Sequence, residues 1–215
     1  MISFQPFHDS TWQHPGVAFG GGAVVLLWLL LSRPRQLPLL CGLQLMMLLD
    51  ALCTGSLSPV PTAPWWSRLV PVFFVVQGDA RFFFLLARGQ FSRCKSLGLA
   101  LLAGLFAPLA SYAIQTVLPT WLPTSRHLFL TDELLFCFVA IALLVRLRDS
   151  QRGPMLQWQR QLCQFELLQY GLWVCSDLLI LGGLDLGFAL RILPNFMYYV
   201  LFVPFVAANS KRVAV

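Results

Sequence analysis

Charge is what this chain has least of. Only 11% of its 215 residues are Asp, Glu, Lys or Arg, against 58% hydrophobic, and its mean hydropathy is +0.72. A soluble domain carries about 25% charged residues, so the composition excludes an ordinary soluble fold. Lysine is nearly missing: Lys95 falls in a connecting segment and Lys211 beyond the last apolar stretch. Of the three histidines, His8 and His14 lie outside the apolar stretches and His127 stands at the first position of one, which excludes hydrolase chemistry built on a cluster of intramembrane histidines. His8, Asp9 and His14, taken with His127, have no metal-finger or helical spacing, so no metal is expected. The six cysteines, Cys41, Cys53, Cys94, Cys137, Cys163 and Cys175, form no CxxC pair and read as small packing residues. No G-x-S-x-G, Walker, zincin, Rossmann or nucleic-acid module is present, so neither covalent catalysis by Ser or Cys nor a bound cofactor is indicated.

What the chain does have is apolar length. Seven stretches, 17–32, 37–54, 68–87, 97–118, 127–146, 163–183 and 187–208, come near the roughly 20 residues that span a bilayer core of about 30 Å. The expected fold is an all-α, polytopic integral membrane protein with seven transmembrane helices. Its parts are an extracytoplasmic arm at 1–16, a seven-helix domain at 17–208 and a cytoplasmic tail at 209–215. Orientation follows from the cations. Arg33, Arg35, Arg88, Arg93, Lys95, Arg146, Arg148, Arg152, Arg160, Lys211 and Arg212 share one side, and only Arg68, Arg126 and Arg191 fall on the other. The N-terminus is therefore expected outside and the C-terminus in the cytoplasm, in what reads as a bacterial inner membrane. The net charge of +6 is this asymmetry, so the expected partners are membrane lipids rather than nucleic acid. The residues before the first stretch carry Asp9 and no Lys or Arg, unlike a cleaved signal peptide.

The informative residues are the few polar ones inside apolar stretches. Glu166, Tyr170, Trp173 and Asp177 fall at i, i+4, i+7 and i+11, one face of a helix; Arg191, Asn195 and Tyr198 do the same on the next. Asp79 lies mid-stretch beside Gly78, with no cation at three or four residues' distance and too short a side chain to reach water. Arg81, nearer the cytoplasmic end, is expected to snorkel outward. Asp132 and Glu133 read as first-turn acids at a helix N-terminus. Gly16, Gly20, Gly21 and Gly22 make a patch where a second helix can approach closely. Pro108 is expected to kink the fourth stretch, which otherwise reads as a spacer. The segment RLRDSQRGPMLQWQRQ reads as a basic cytoplasmic loop.

Two hairpins share a pattern. Asp50 is followed by Gly55 and then by Arg68-Leu-Val-Pro71-Val-Phe73; Asp177 is followed by Gly182 and then by Arg191-Ile-Leu-Pro194-Asn-Phe196. With one helix between them, the halves would run parallel, in a three-one-three arrangement. Each hairpin would then be clasped by an ion pair, Asp50 with Arg68 and Asp177 with Arg191, since a paired charge costs less in hydrocarbon than a lone one.

Seven helices arranged three-one-three resemble the opsin and sugar-transporter architectures. The last stretch has no lysine, which excludes a retinal pigment of the usual kind. The dipeptides Gly78-Asp79, Ser176-Asp177 and Tyr198-Tyr199 resemble those that the lysoplasmalogenase-like membrane family places in corresponding helices. The His and Tyr of that family's next helix are missing here. The resemblance implies a lipid-modifying enzyme with Asp79 and Asp177 as acid and base. The polar stripes themselves favour a transporter, channel-like or sensor protein for a small solute or ion, with Asp79, Glu166, Asp177, Asn195, Tyr198 and Tyr199 at an intramembrane centre. A scaffold holding a soluble partner on the basic segment is the third expectation.

Overall fold

The computed structural model describes residues 3–8, 15–54, 66–88, 91–148 and 153–209, and these are all-helical apart from short connections. The helices are α1 (Phe4–Phe7), α2 (Pro15–Ser32), α3 (Leu37–Thr54), α4 (Trp66–Ala87), α5 (Arg93–Gly104), α6 (Phe106–Val117), α7 (Ser125–Arg148), α8 (Pro154–Leu181), α9 (Leu186–Phe196) and α10 (Phe202–Ala208). A π turn, Met197–Leu201, joins α9 to α10. Long apolar runs choose the helix because it satisfies every backbone N–H and C=O within the segment. The chain turns where a residue cannot continue: Pro34 follows α2, and Gly183, with φ of 76°, takes the left-handed conformation between α8 and α9.

Among the described residues three helical segments are long and apolar enough to cross a membrane: Cys94–Val117, Ser125–Arg148 and Leu186–Ala208; Ala18–Ser32 and Leu37–Cys53 are shorter apolar helices. The distribution of side chains is that of a membrane protein. Leu31, Leu102, Val117 and Phe138 are 70–75% exposed, while Gln44, Asp79, Glu166, Gln169 and Asp177 are at most 1% exposed. Apolar groups outside and polar groups inside invert the soluble pattern.

From α2 to α9 each helix packs on the next, and α2 and α3 also meet the π turn, with α3 touching α10, so the last helix described closes back on the first hairpin. Helix α8 lies against α7, α9 and α4, which makes it the central element. Close approach is set by small residues. A Cβ on Gly104 would stand 2.8 Å from the backbone nitrogen of Ala80, so α5 crosses α4 beside Asp79 and Arg81. Gly22 sits against Gln44 and Leu48 of α3, and Gly21 against Val200 of the π turn, whereas nothing lies within 4 Å of a Cβ on Gly20.

Pro108 interrupts the fourth apolar stretch as its position suggested: α5 and α6 meet at Leu105, because Pro108 has no N–H to return to the Gly104 carbonyl. Other expectations need correction. Helix α8 begins at Pro154, nine residues before the apolar stretch at 163. Most of the expected basic loop is therefore helical, with Trp158, Gln159 and Leu162 buried. Arg160 donates Nε to the Leu147 carbonyl at 3.1 Å and Nη2 to that of Arg148 at 2.9 Å, holding the C-terminal end of α7. The arm before α2 is not simply solvated. Asp185, in the α8–α9 turn, accepts hydrogen bonds from Ser3 Oγ at 3.0 Å, Phe4 N at 2.5 Å and Gln5 N at 3.2 Å, and fixes α1 against α9. The rest of the arm, with Asp9 and His14, lies outside the described residues.

Candidate functional site

The polar residues of α8 recur at 159, 166, 170, 173 and 177, the spacing that keeps them on one face over five turns. Each meets a partner on a different helix. The order below runs from the end where α7 leads into α8 to the end where α8 turns into α9.

Gln159 donates Nε2 to the Leu86 carbonyl of α4 at 3.0 Å, satisfying a group near that helix's end. One level on, Glu166 stands 3.6 Å from Nη2 of Arg81, and neither side chain is more than 2% exposed. Arg81 therefore does not snorkel. Its guanidinium lies 4.3 Å from the Tyr198 ring and 3.9 Å from the Phe202 ring, a cation held between a carboxylate and two aromatic faces. Arg81 is drawn inward because its own helix buries this face against α8, and a buried carboxylate there answers its charge.

Next comes Asp79, fully buried, which accepts the Tyr170 hydroxyl at 2.5 Å through Oδ1; its Oδ2 has no hydrogen-bond partner. Phe136 stacks on Tyr170 at 3.9 Å and fixes the ring that points the hydroxyl at Asp79. Helix α7 brings two acids to this level and the next. Asp132 and Glu133 are 5% and 6% exposed, each with one carboxyl oxygen unpartnered. They are not helix-capping acids, because α7 starts at Ser125, two turns earlier, and has no acid in its first turn.

Beyond Tyr170, Trp173 donates Nε1 to Asn195 Oδ1 at 2.9 Å, joining α8 to α9. Asp177 then takes two guanidiniums through the same oxygen, Arg126 of α7 at 2.7 Å and Arg191 of α9. The hairpin clasp is thus a three-membered group, and Arg126 was not readable as part of it. The companion clasp cannot be described, because the Arg68 side chain lies outside the described residues. Asp50, 7% exposed, accepts the Tyr199 hydroxyl at 3.4 Å.

The π turn belongs to the same site. In a turn that pairs residues five apart, the Tyr199 carbonyl awaits the N–H of residue 204, and Pro204 has none. Gln44 of α3 supplies the missing donor, Nε2 to Tyr199 O at 3.2 Å. The wider turn carries Tyr198 toward Arg81 and Tyr199 toward Asp50.

Of the six residues expected at an intramembrane centre, Glu166, Asp79 and Tyr198 gather around Arg81 and Tyr170. Asp177 lies further along α8, Asn195 meets Trp173 from α9, and Tyr199 turns aside to Asp50. Sequence reasoning missed Arg81 as an interior group, and it missed Asp132, Glu133, Tyr170 as the donor to Asp79, and Gln44. Among the described residues no group of three or more His, Cys, Asp or Glu side chains converges as a metal site would require.

No family model, curated protein or solved structure matches this chain. The site must be read from its own geometry. That geometry is a continuous file of ionisable and hydrogen-bonding groups through the middle of an apolar bundle, with acids in excess. Among the described residues around α8, Asp79, Asp132, Glu133, Glu166 and Asp177 are buried, against the guanidiniums of Arg81, Arg126 and Arg191. Structural ion pairs alone do not call for that excess, since each unmatched carboxylate in hydrocarbon costs about 2.5–3.5 kcal/mol on insertion scales.

Proposed function

We propose that this protein is a small membrane transporter that moves an ion or small solute past the buried carboxylates facing α8. The single observation behind this is the acidic excess around α8: among the described residues five buried carboxylates, Asp79, Asp132, Glu133, Glu166 and Asp177, stand against three guanidiniums, and Asp79 has no cation within ion-pair distance. Polar groups at membrane depth are costly and persist where they serve a path or a relay. Groups one to two turns apart along a helix stand about 5–11 Å from one another, so a proton or ion would pass between them by way of intervening water or side-chain movement.

In this reading all seven apolar helices span an inner membrane, counting α5 with α6 and α9 with α10. The N-terminus is outside. The cation asymmetry supports that orientation, and the clasp explains two of its three exceptions: Arg126 and Arg191 are outer-side cations held by Asp177. Asp177 is also a poor acid–base partner for Asp79, because two guanidiniums already engage its carboxylate. The lipid-enzyme reading loses its second residue on that account. Half of the scaffold reading's docking segment, residues 154–161, forms the start of α8, with Trp158 and Gln159 buried.

Reconstitution into sealed vesicles holding a pH-sensitive dye, under an imposed potassium diffusion potential, tests the proposal. Protein-containing vesicles should change internal pH faster than empty ones, alone or on addition of a solute from a panel of sugars, amino acids and organic acids. Identical traces across the panel would reject transport.

A further inference from the structure

Gly78 stands between two charged neighbours with bonding capacity to spare. Asp79 follows it in α4 and Arg81 comes two residues after that, so the two side chains leave the helix on opposite sides of Gly78. Each is met by a tyrosine from another element. Tyr170 of α8 donates its hydroxyl to Asp79 Oδ1, and the Tyr198 ring of the π turn lies 4.3 Å from the Arg81 guanidinium. Both hydroxyls converge on the glycine: a Cβ there would stand 3.9 Å from Tyr198 Oη and 4.0 Å from Tyr170 Oη. The missing side chain therefore leaves a hollow that a methyl group would fit, with the carboxylate on one side and the guanidinium on the other.

Neither charge is saturated. Asp79 is fully buried, and its Oδ2 accepts no hydrogen bond. Arg81 is 4% exposed; it meets Glu166 through Nη2 at 3.6 Å, while its Nε and Nη1 have no acceptor. Glu166 and the rings of Tyr198 and Phe202 thus hold the guanidinium in place without using those two nitrogens. Buried polar atoms left without partners are costly. An acceptor-only anion and a donor-only cation flanking one hollow are the complement of a molecule that carries both an ammonium and a carboxylate.

We propose that Gly78, Asp79 and Arg81 form the binding site of a small zwitterion of the amino-acid type, its ammonium on Asp79, its carboxylate on Arg81 and its carbon chain crossing Gly78. The inference deepens the transport reading by naming the substrate class and rests on it for the site's purpose; the site itself stands on the geometry of α4. An inorganic cation in the hollow would meet Arg81, and an inorganic anion would meet Asp79. A dipolar molecule answers both. Asp79 has no exposed surface, so loading the site requires the surrounding helices to part, as they do in a transporter that opens to each side in turn.

Unfolding midpoints of the purified protein in detergent test the site without any flux measurement. The probes are the neutral L-amino acids at millimolar concentration. Each is set beside its methyl ester, which keeps only the ammonium, and its N-acetyl derivative, which keeps only the carboxylate. At least one amino acid should raise the midpoint, because a ligand that binds only the folded state stabilises it by mass action, and neither of its derivatives should. Gly78→Ala is the decisive variant. Its methyl meets neighbours only at 3.8–4.0 Å, so the chain should fold as the native one does, yet it fills the space the ligand crosses and the shift should vanish. Asp79→Asn should lose the shift too, and serves where Gly78→Ala does not fold. No shift with any amino acid, an equal shift with the ester or the N-acetyl compound, or an unchanged shift in a folded variant overturns the proposal. Bound water would satisfy the same atoms but would not tell an amino acid from its ester. A zwitterion-selective shift in a protein that moves nothing across vesicles would uphold the site and reject the transport reading. Flux with no such shift would do the reverse.

Discussion

Arg81 of α4 stands 3.6 Å from Glu166 of α8, and both are shut away from solvent. This pair fastens the two central helices at the depth where the site lies. Removing one partner strands a buried charge, which costs roughly 3–5 kcal/mol, whereas replacing both by apolar residues of similar size is close to neutral. Arg81→Met should lower the unfolding midpoint in detergent sharply, and Arg81→Met with Glu166→Met should recover most of the loss. A double variant no more stable than the single one would show that the two do not interact.

Asp177 behaves differently because it has two cations. Arg191→Leu leaves Arg126 at 2.7 Å, so the loss should be well below the roughly 3–5 kcal/mol of a fully stranded charge. Arg126→Leu with Arg191→Leu should reach that range. Thermal unfolding of the two single variants and the double variant separates a three-membered clasp from a simple pair: equal losses for Arg191→Leu and the double would argue that Arg126 contributes nothing.

Glycine substitutions test the helix crossing that positions the site. A methyl on Gly104 would meet the Ala80 backbone at 2.8 Å, and backbone cannot yield as a flexible side chain can. Gly104→Ala should cost about 1–3 kcal/mol, the usual range for overpacking. Gly20→Ala, with nothing within 4 Å, should be neutral or slightly stabilising through helix propensity. Matched unfolding curves for the two variants would contradict the crossing.

The first helix should come loose in acid. Hydrogen bonds from the Phe4 N–H, and with it Ser3 and Gln5, hold the exposed Asp185 carboxyl below its usual range. A depressed carboxylate stabilises the folded arrangement above the unfolded-state value, and that stability is lost as pH falls through the lower, folded value. Limited proteolysis of the first residues should therefore accelerate only well below pH 4, the ordinary aspartate range. Asp185→Asn should make it fast at all pH values; a variant as resistant as the native chain at neutral pH would remove Asp185 as the anchor.

How much of this was legible beforehand depends on whether the signal was local. The face of Glu166, Tyr170, Trp173 and Asp177 could be read from spacing, because helical periodicity is carried by neighbours in sequence. The direction of Arg81 could not, since both snorkelling and an inward turn suit its position, and the decision lies with Glu166, 85 residues away. Asp132 and Glu133 were misplaced by a helix start set too late, which turned interior acids into end caps. The π turn follows from Pro204 only once Gln44 is seen to take the Tyr199 carbonyl. Partners across helices leave no pattern along the chain.

Asp79 carries the central claim, and one substitution examines it. Asp79→Asn keeps the shape and the Tyr170 contact but removes the group that takes up and releases charge. Internal pH in sealed vesicles under an imposed potassium potential should be followed for native and Asp79→Asn protein, in parallel with the unfolding midpoint of the same preparations. The account predicts a variant that folds and unfolds much like the native protein yet gives the flux of empty vesicles. A well-folded Asp79→Asn protein with native flux would contradict it.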